Sequence, residues 1–295
     1  MLLQRRKCRA GFKEAVRYYR LAADQGNADA QVSLGYHYYI NGEGVEQDFK
    51  ETARYQRLAA DQGNAVAQCS LGHCYSKGKG VEQDSKEAVR YYRLAADQGN
   101  AGAQCIVGLC YKDGEGVEQD FKEAVRYHRL AADQGNAASQ SELGICYSNG
   151  AGVEQDFKEA FRYYRLAADL GDAEAQFNVG VCYYKGEGAV QDFKEAVRYC
   201  RLAADQGEAN AQSNLGNCYY IGKFVRRSYK AAAKYYTLAA EQGHAPSQSK
   251  LGNCYRDGQG VRKSKKKAIG WYQRASNQGC VLATNELRNI GALIG

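Results

Sequence analysis

The sequence predicts an all-α fold, a solenoid built from stacked helical hairpins, and three observations support this prediction. The segment "LAADQGNA" occurs at residues 58–65, 94–101 and 130–137, and four further copies or near-copies occur elsewhere in the chain. The 295 residues include a single proline and many alanine, tyrosine, lysine and glutamate residues, a composition that favours helix. Within each copy of the repeat, apolar residues recur at helical spacing.

The glycine that ends each "DQG" motif gives the period of the repeat. From Gly26 to Gly279 these glycines are separated by one step of 37 residues and six steps of 36 residues. We therefore predict a single repeat array over residues 1–295. It consists of a half-repeat (1–26), seven full repeats (27–63, 64–99, 100–135, 136–171, 172–207, 208–243 and 244–279) and a C-terminal capping helix (280–295).

The first helix of each repeat, helix A, is illustrated by residues 64–99, whose positions we number as columns from Asn64. Asparagine is a preferred N-cap residue, so Asn64 is predicted to begin helix A. An i, i+4, i+7, i+8 stripe predicts its buried face, and "KGKG" then ends the helix. The stripe occupies columns 4, 8, 11 and 12, which hold Ala67, Leu71, Cys74 and Tyr75.

The second helix, helix B, is predicted to begin at Asp84, which forms a capping box with Glu87. Gly99 is predicted to end it, because glycine readily adopts the left-handed conformation of a helix stop. The motif "DQGN" is thus a helix stop followed directly by a helix start. The apolar stripe of helix B occupies columns 25, 28, 29, 32 and 33, which hold Ala88, Tyr91, Tyr92, Ala95 and Ala96.

Column 9 holds glycine in all seven full repeats, although glycine inside a helix costs about 1 kcal/mol relative to alanine. We therefore predict that a neighbouring helix approaches closely at this column. The last segment has Arg288 in column 9, which predicts a capping helix with no further repeat after it. Residues 11–26 form a helix B without a helix A, so either residues 1–10 cover it or the chain is the end of a longer array.

The eleven cysteines are predicted to be reduced rather than paired. Six of them share column 11, and equivalent positions of packed helices lie about 8–10 Å apart, whereas a disulfide needs Cα atoms within about 7 Å. Cys182 and Cys200 lie within one repeat and are the one pair left open. Reduced cysteines, no signal peptide and no membrane span predict a cytoplasmic protein, with nuclear import as an alternative. The six column-11 cysteines are Cys74, Cys110, Cys146, Cys182, Cys218 and Cys254.

The segments "AQCSLGHCYSKGKGV" and "KEAVRYYRLAADQG", with their copies, resemble the Sel1-like repeat, a relative of the tetratricopeptide repeat. The resemblance covers nearly all of residues 11–295. It implies a right-handed α/α superhelix of seven 36–37-residue hairpins with a half-repeat at each end. It also implies an adaptor that binds other proteins.

The sequence of helix B is nearly identical from repeat to repeat, whereas the outer face of helix A varies. We therefore predict that helix A contacts the partner and determines specificity. We expect the A helices to line a concave groove that binds a protein or peptide segment. The alternative is that these residues pack against the next A helix. The predicted groove residues are Tyr36, His73, Cys105, Leu109, Lys112, Ile145, Phe177, Val181 and Tyr184.

Charge is distributed unevenly along the chain. Residues 208–295 contain 14 Lys or Arg and 4 Asp or Glu, a net charge of +10, so the other 207 residues carry 26 against 29, a net charge of −3. The densest basic cluster predicts a site for an anionic partner or, alternatively, a solvated surface. Nucleic acid is not expected, because no groove-reading element accompanies the cluster. The basic patch comprises Arg262, Lys263, Lys265, Lys266 and Lys267.

No catalytic residue, metal site or cofactor is predicted. The four histidines lie in different repeats without metal-ligand spacing, and the "GEGV" and "GKGV" turns lack the Lys-Ser/Thr of a phosphate loop. We therefore predict a non-enzymatic scaffold. One alternative is a substrate-recruiting module of a larger assembly. The other is a hydrolase-like activity, which the resemblance implies for relatives with paired cysteines. The histidines are His37, His73, His128 and His244.

Overall fold

A computed structural model describes residues 2–40 and 45–291, with side chains from residue 12 onward. These residues form sixteen α-helices and no β-strand, which confirms the predicted all-α fold of repeated hairpins. Even-numbered helices are A helices and odd-numbered ones are B helices. In order, they are α1 (Leu2–Asp24), α2 (Ala28–Tyr39), α3 (Phe49–Asp61), α4 (Ala65–Lys77), α5 (Ser85–Asp97), α6 (Ala101–Asp113), α7 (Phe121–Asp133), α8 (Ala137–Asn149), α9 (Phe157–Asp169), α10 (Ala173–Lys185), α11 (Phe193–Asp205), α12 (Ala209–Ile221), α13 (Tyr229–Glu241), α14 (Ala245–Asp257), α15 (Lys265–Ser276) and α16 (Val281–Asn289).

The chain divides into two compact units, Met1–Gln155 (unit 1) and Asp156–Gly295 (unit 2). Within each unit, every helix packs against the helix before it and the helix after it. The predicted apolar stripes form the core. In repeat 64–99, all of their members are buried except the half-buried Tyr75, whose ring stacks on Tyr91 at a centroid distance of 5.7 Å.

Helix A begins as predicted, and helix B begins with half of the predicted capping box. The Asn64 side chain accepts a hydrogen bond from the N–H of Ala67, and Asp84 Oδ1 accepts from the N–H groups of Lys86 and Glu87. The predicted reciprocal bond, from the N–H of Asp84 to the Glu87 carboxylate, does not form. The N–H of Asp84 donates to a carbonyl of helix A, and the Glu87 carboxylate binds Arg90 instead.

Glutamine side chains connect each hairpin to the one before it. In unit 2, Gln242 Nε2 donates to Gln212 Oε1 at 2.8 Å, and Gln212 Nε2 donates to the carbonyl of Ala204 at 3.1 Å. The glutamine of "DQG" therefore holds a buried glutamine of helix A, which in turn holds the preceding helix B. The same link occurs in the pairs Gln31–Gln62, Gln68–Gln98, Gln104–Gln134, Gln176–Gln206 and Gln248–Gln278.

The column-9 glycines lie against the other helix of their own hairpin, which confirms the predicted close approach. A Cβ atom on Gly216 would lie 2.5 Å from Cε1 of Tyr236, and one on Gly252 would lie 2.5 Å from Cε1 of Tyr272. In both cases the neighbour is the column-29 side chain of helix B. Glycine is needed here because the ring takes the volume that a Cβ would occupy.

Five of the six column-11 cysteines are buried, and Cys218 is half-buried. The ten cysteines with described side chains are all free thiols, including Cys182 and Cys200. At the chain ends, residues 2–10 continue the B helix α1, and α16 packs on α15 with Arg288 exposed. None of the described helices combines the length and the apolar character needed to cross a bilayer.

Candidate functional site

Four of the predicted groove residues in unit 1 have accessible side chains. Tyr36 is exposed, whereas His73, Leu109 and Ile145 are half-buried. The Nε2 atom of His73 lies 3.3 Å from the hydroxyl of Tyr39. Leu109 lines a cavity of about 190 Å³. These side chains belong to different A helices.

Two other predicted groove residues in unit 1 are already engaged within the fold. Cys105 is buried, so it presents almost no surface to a partner. This corrects its place in the predicted groove. Lys112 Nζ lies 2.9 Å from Glu142 Oε1. Burial opposes the lysine charge, but the hydrogen bond to Glu142 leaves the pKa of Lys112 raised, so its charge is compensated.

The three predicted groove residues of unit 2 lie together around one pocket of about 300 Å³. Phe177, Val181 and Tyr184 of α10 form one wall. The rest of the lining comes from Gly180, also in α10, from helices α11 and α12 and from the turn after α12. The remaining lining residues are Gly180, Ala196, Val197, Cys200, Asn214, Leu215, Asn217, Cys218, Ile221, Lys223 and Phe224.

The pocket exists because Cys200 occupies column 29 of repeat 172–207. In the following repeats this column holds Tyr236 and Tyr272, whose rings lie against the column-9 glycine. At Gly180, the atoms nearest to a Cβ would instead be the carbonyl of Ala196 at 3.1 Å and the N atom of Cys200. No ring fills the hairpin at this level, so the space opens to the surface.

The second cause of the pocket is Phe224, which stands where the five other turns that the structure describes have glycine. In those turns a Cβ would collide with a carbonyl of the preceding helix B; on Gly260 it would lie 1.9 Å from the Tyr229 oxygen. Phe224 keeps the left-handed backbone of those glycines, whose φ values lie between +73° and +74°. It adopts a φ of +64°, and its ring stacks on Phe193 with centroids 4.2 Å apart. A bulky residue in the left-handed region is uncommon and often marks a functional site.

The chemistry of the pocket wall suits binding rather than nucleophilic attack. Burial raises the pKa of Cys200 to about 12 and also raises the pKa of Cys218, so both thiols stay protonated at neutral pH. The Cys200 thiol donates a hydrogen bond to the carbonyl of Ala211. Lys223 Nζ lies 4.9 Å from the centroid of the Phe224 ring and supplies the one charge of the lining.

The family model of the Sel1 repeat matches eight consecutive segments of the chain. They are residues 8–27, 28–64, 65–100, 101–136, 137–172, 173–208, 209–244 and 245–280. The chain belongs to the Sel1 repeat family. The eight segments correspond to our seven full repeats and the N-terminal half-repeat, with boundaries one residue later in the chain.

Solved structures of Sel1 repeat proteins resemble this chain over most of its length. A Sel1 repeat protein from Oxalobacter formigenes is 33% identical, with a TM-score of 0.79 over 93% of this chain and 79% of the other. A protective antigen of uropathogenic Escherichia coli is 32% identical, with a TM-score of 0.71 over 93% of this chain and 67% of the other. No curated protein sequence matches the chain.

An immunity protein from Pseudomonas aeruginosa is similar to this chain in fold only. It is 19% identical, with a TM-score of 0.51 over 74% of this chain and 82% of the other. Sel1 repeat proteins are generally non-enzymatic scaffolds for protein interactions. The predicted family is therefore confirmed for the chain.

The predicted basic patch lies in the last complete Sel1 repeat, in the turn before α15 and in its first turn. All five side chains are exposed. Ser264 caps the helix through a hydrogen bond from the N–H of Lys267, and Lys267 Nζ lies 5.2 Å from the centroid of the Tyr255 ring. The patch is thus a separate feature from the pocket lining.

The histidines of the Sel1 repeats do not form a reactive cluster. His128 is fully buried, with Nδ1 3.3 Å from the Ser139 hydroxyl, and burial lowers its pKa to about 4. His73 and His244 also have lowered pKa values because they are partly buried. In the part of the chain that the structure describes, no three His, Cys, Asp or Glu side chains come close enough to hold a metal ion.

Sequence reasoning found one wall of the pocket and missed the residues that create it. Cys200 and Phe224 were not among the predicted groove residues, nor was Lys223. A signal existed in the repeat alignment. Cys200 departs from tyrosine in column 29, and Phe224 departs from glycine in column 17 of the turn.

Proposed function

We propose that the chain is a non-enzymatic scaffold that binds a peptide or protein segment, with Phe177, Val181 and Tyr184 among the residues that contact the partner. The observation that carries the proposal is the apolar pocket of unit 2. Tyr184 and Ile221 at its edge are exposed to 47% and 66%, so apolar surface extends from the pocket to solvent. Concave, mostly apolar pockets with a few polar groups are typical binding sites.

In unit 1, we propose a separate set of weaker contacts on the A helices. Tyr36, His73, Leu109 and Ile145 keep accessible surface, whereas Cys105 and Lys112 are engaged inside the fold. This set is independent of the pocket.

The proposal of a scaffold rather than a hydrolase is supported by the cysteines. Burial raises the pKa of all six column-11 thiols, so they remain protonated and weakly nucleophilic near neutral pH. The purified chain should therefore hydrolyse generic ester and lactam substrates no faster than buffer does. Clear turnover would contradict the proposal.

Selection from a displayed library of random dodecapeptides tests the binding site directly. The wild-type chain should enrich peptides that a Phe177→Ser, Val181→Ser variant fails to retain, because these substitutions remove apolar surface from the pocket wall. The matched control is Val190→Ser, Val281→Ser, which changes two apolar residues that are exposed to 89% and 69% outside the pocket lining. The control should retain the peptides, and circular dichroism should show equal helix content for all three proteins.

Two outcomes would place the site elsewhere. Equal retention by the pocket variant would exclude the pocket as the binding site. Loss of binding in a variant with all five basic-patch residues replaced by glutamine, with the pocket variant unaffected, would favour the basic patch and an anionic partner.

A further inference from the structure

We infer that the unit 2 pocket receives a phenylalanine side chain of a partner segment that carries acidic residues next to it. This inference rests on the proposed function and adds the chemistry of the partner. It draws on three observations: the rings that fill the same position in the following repeats, the apolar walls of the pocket and the basic turn beside it.

The chain itself shows what fits this space. In the two following repeats, the rings of Tyr236 and Tyr272 occupy the gap between column 9 and column 29. In repeat 172–207 that gap is bounded by Gly180 and Cys200 and is open to solvent. An aromatic ring of a partner would therefore lie beside a column-9 glycine, as the chain's own rings do, at a level where the chain provides no ring of its own. Aromatic side chains inserted into such pockets are the usual anchors of protein interfaces.

The walls favour phenylalanine over tyrosine. In the following repeats each tyrosine hydroxyl donates to the asparagine in column 10: Tyr236 to Asn217 and Tyr272 to Asn253. The residue at column 10 beside the pocket is Val181, which offers no acceptor. Asn217 and Asn214 also line the pocket, but the Asn217 oxygen already accepts from Tyr236, and Asn214 is exposed to solvent. A buried hydroxyl without a partner is unfavourable, so a ring without one fits better.

The charges around the pocket indicate which residues of the partner lie next to its phenylalanine. The turn that follows α12 and the start of α13 contain Lys223, Arg226, Arg227 and Lys230 and no acidic residue. None of these four forms an ion pair with any other described residue. The equivalent turn at residues 81–84 reads "VEQD", whereas residues 225–228 read "VRRS". Relative to that turn, a glutamate and a glutamine are replaced by two arginines and an aspartate by a serine, which complements an acidic segment.

Phe224 connects the two parts of this site. Its ring packs on Phe193 and lies edge-to-face with Tyr184 at a centroid distance of 6.2 Å, so it extends the apolar wall. Lys223, one residue earlier, places its ammonium group 5.4 Å from the centroid of the Tyr184 ring. Phe224 and Lys223 thus place an apolar wall and a cation at the same edge of the pocket.

Filling the pocket with the chain's own ring is the sharpest test. Cys200→Tyr restores the residue of the following repeats, and Gly180 leaves room for the ring as Gly216 does for Tyr236. The peptides enriched from the dodecapeptide library should contain phenylalanine next to Asp or Glu. Their fluorescence anisotropy titrations should show at least about tenfold weaker binding to Cys200→Tyr than to the wild type. Circular dichroism should show the same helix content for this variant as for the wild type.

Two further titrations test the details. Replacing the peptide phenylalanine by tyrosine should weaken binding by about fivefold or more, the effect of an unsatisfied hydroxyl. A Lys223→Gln, Arg226→Gln, Arg227→Gln variant should bind more weakly at low salt than the wild type, with the difference shrinking as salt rises. The matched control, Lys86→Gln, removes one exposed charge in unit 1 and should bind like the wild type.

The outcomes separate this inference from the proposed function. Enriched peptides that depend on Phe177 and Val181 but lack an aromatic residue, or that bind Cys200→Tyr unchanged, overturn the inference and leave the scaffold proposal standing. If the Lys223→Gln, Arg226→Gln, Arg227→Gln variant binds the peptides as tightly as the wild type, the inference that the partner carries acidic residues is overturned. A library that yields no binding peptide overturns both.

Discussion

Individual glycines set the distance between the two helices of a hairpin. Gly216→Ala should destabilise the chain by about 1–3 kcal/mol, because the new Cβ would lie 2.5 Å from the ring of Tyr236 and the ring cannot move freely. Tyr236 is buried and its hydroxyl is held by Asn217. The change in urea midpoint, monitored by circular dichroism, measures the effect.

The control for this substitution is a glycine inside a helix with free space around it. A Cβ added to Gly270 of α15 would have no neighbouring atom within 4 Å, so Gly270→Ala should stabilise the chain by about 0.5–1 kcal/mol through helix propensity. Opposite signs for the two substitutions support the packing role of column 9. Equal effects would contradict it.

A buried histidine should make unit 1 sensitive to acid. His128 is fully buried, and burial lowers its pKa from 6.5 to about 4, with the charge of Lys112 acting in the same direction. The folded state therefore binds fewer protons than the unfolded state between pH 6.5 and pH 4, so stability falls as the pH drops through this window. Between pH 7 and pH 5 the loss should be on the order of 2 kcal/mol.

The His128→Phe variant isolates this contribution, because it keeps a ring beside Gly108 and removes the titrating group. Its urea midpoint should change less between pH 7 and pH 5 than that of the wild type. Identical pH profiles for the two proteins would show that His128 is not the group responsible.

At the scale of the helices, the buried glutamine links matter more than the exposed ion pairs. Glu–Arg pairs spaced three residues apart on the B helices, such as Glu195–Arg198, are partly exposed and contribute little. Gln212, by contrast, is buried and joins Ala204 to Gln242. A buried carbonyl or amide left without its partner costs the full desolvation penalty.

We therefore expect Gln212→Met to destabilise the chain by about 1–3 kcal/mol, because methionine keeps the volume but neither donates to Ala204 nor accepts from Gln242. Gln273→Met, on the exposed face of α15, is the matched control and should change stability by about 0.5 kcal/mol or less. Chemical denaturation of both variants provides the comparison. Similar midpoints would mean that the glutamine links are replaceable by apolar packing.

The helices were predictable because their signals are local. Asn64 and Asp84 cap the helices they precede, and Gly99 adopts the positive φ expected of a helix stop. Each of these roles depends on residues a few positions away. The predicted bond between the N–H of Asp84 and Glu87 does not form, because this N–H donates to the carbonyl of Tyr75 in the preceding helix. Residue spacing along one helix does not reveal such a contact between helices.

The pocket was only partly predictable for the same reason. Column spacing placed Val181 on the outer face of helix A, but Cys105, on the adjacent column 6, is buried. Cys200 matters because column 29 lies opposite column 9, and Phe224 matters because its turn approaches Phe193. Both facts are relations between helices, and they become visible only when the hairpin is assembled.

At the scale of the molecule, the turns that precede the B helices change from acidic to basic along the chain. The turns at residues 81–84, 117–120 and 153–156 all read "VEQD", whereas residues 225–228 and 261–264 read "VRRS" and "VRKS". The change accounts for much of the net charge of +10 in residues 208–295. The pocket lies where this change begins, so apolar and basic surfaces are neighbours within unit 2.

The crystal structure of the chain bound to a peptide enriched from the dodecapeptide library is the most direct test of the central claim that the pocket at Cys200 is a partner site. We expect the peptide's phenylalanine ring to lie in the pocket, in contact with Val181, Cys200 and Phe224, with an acidic side chain of the peptide near Lys223 or Arg226. A peptide bound elsewhere on the chain, with the pocket unoccupied, would contradict the claim.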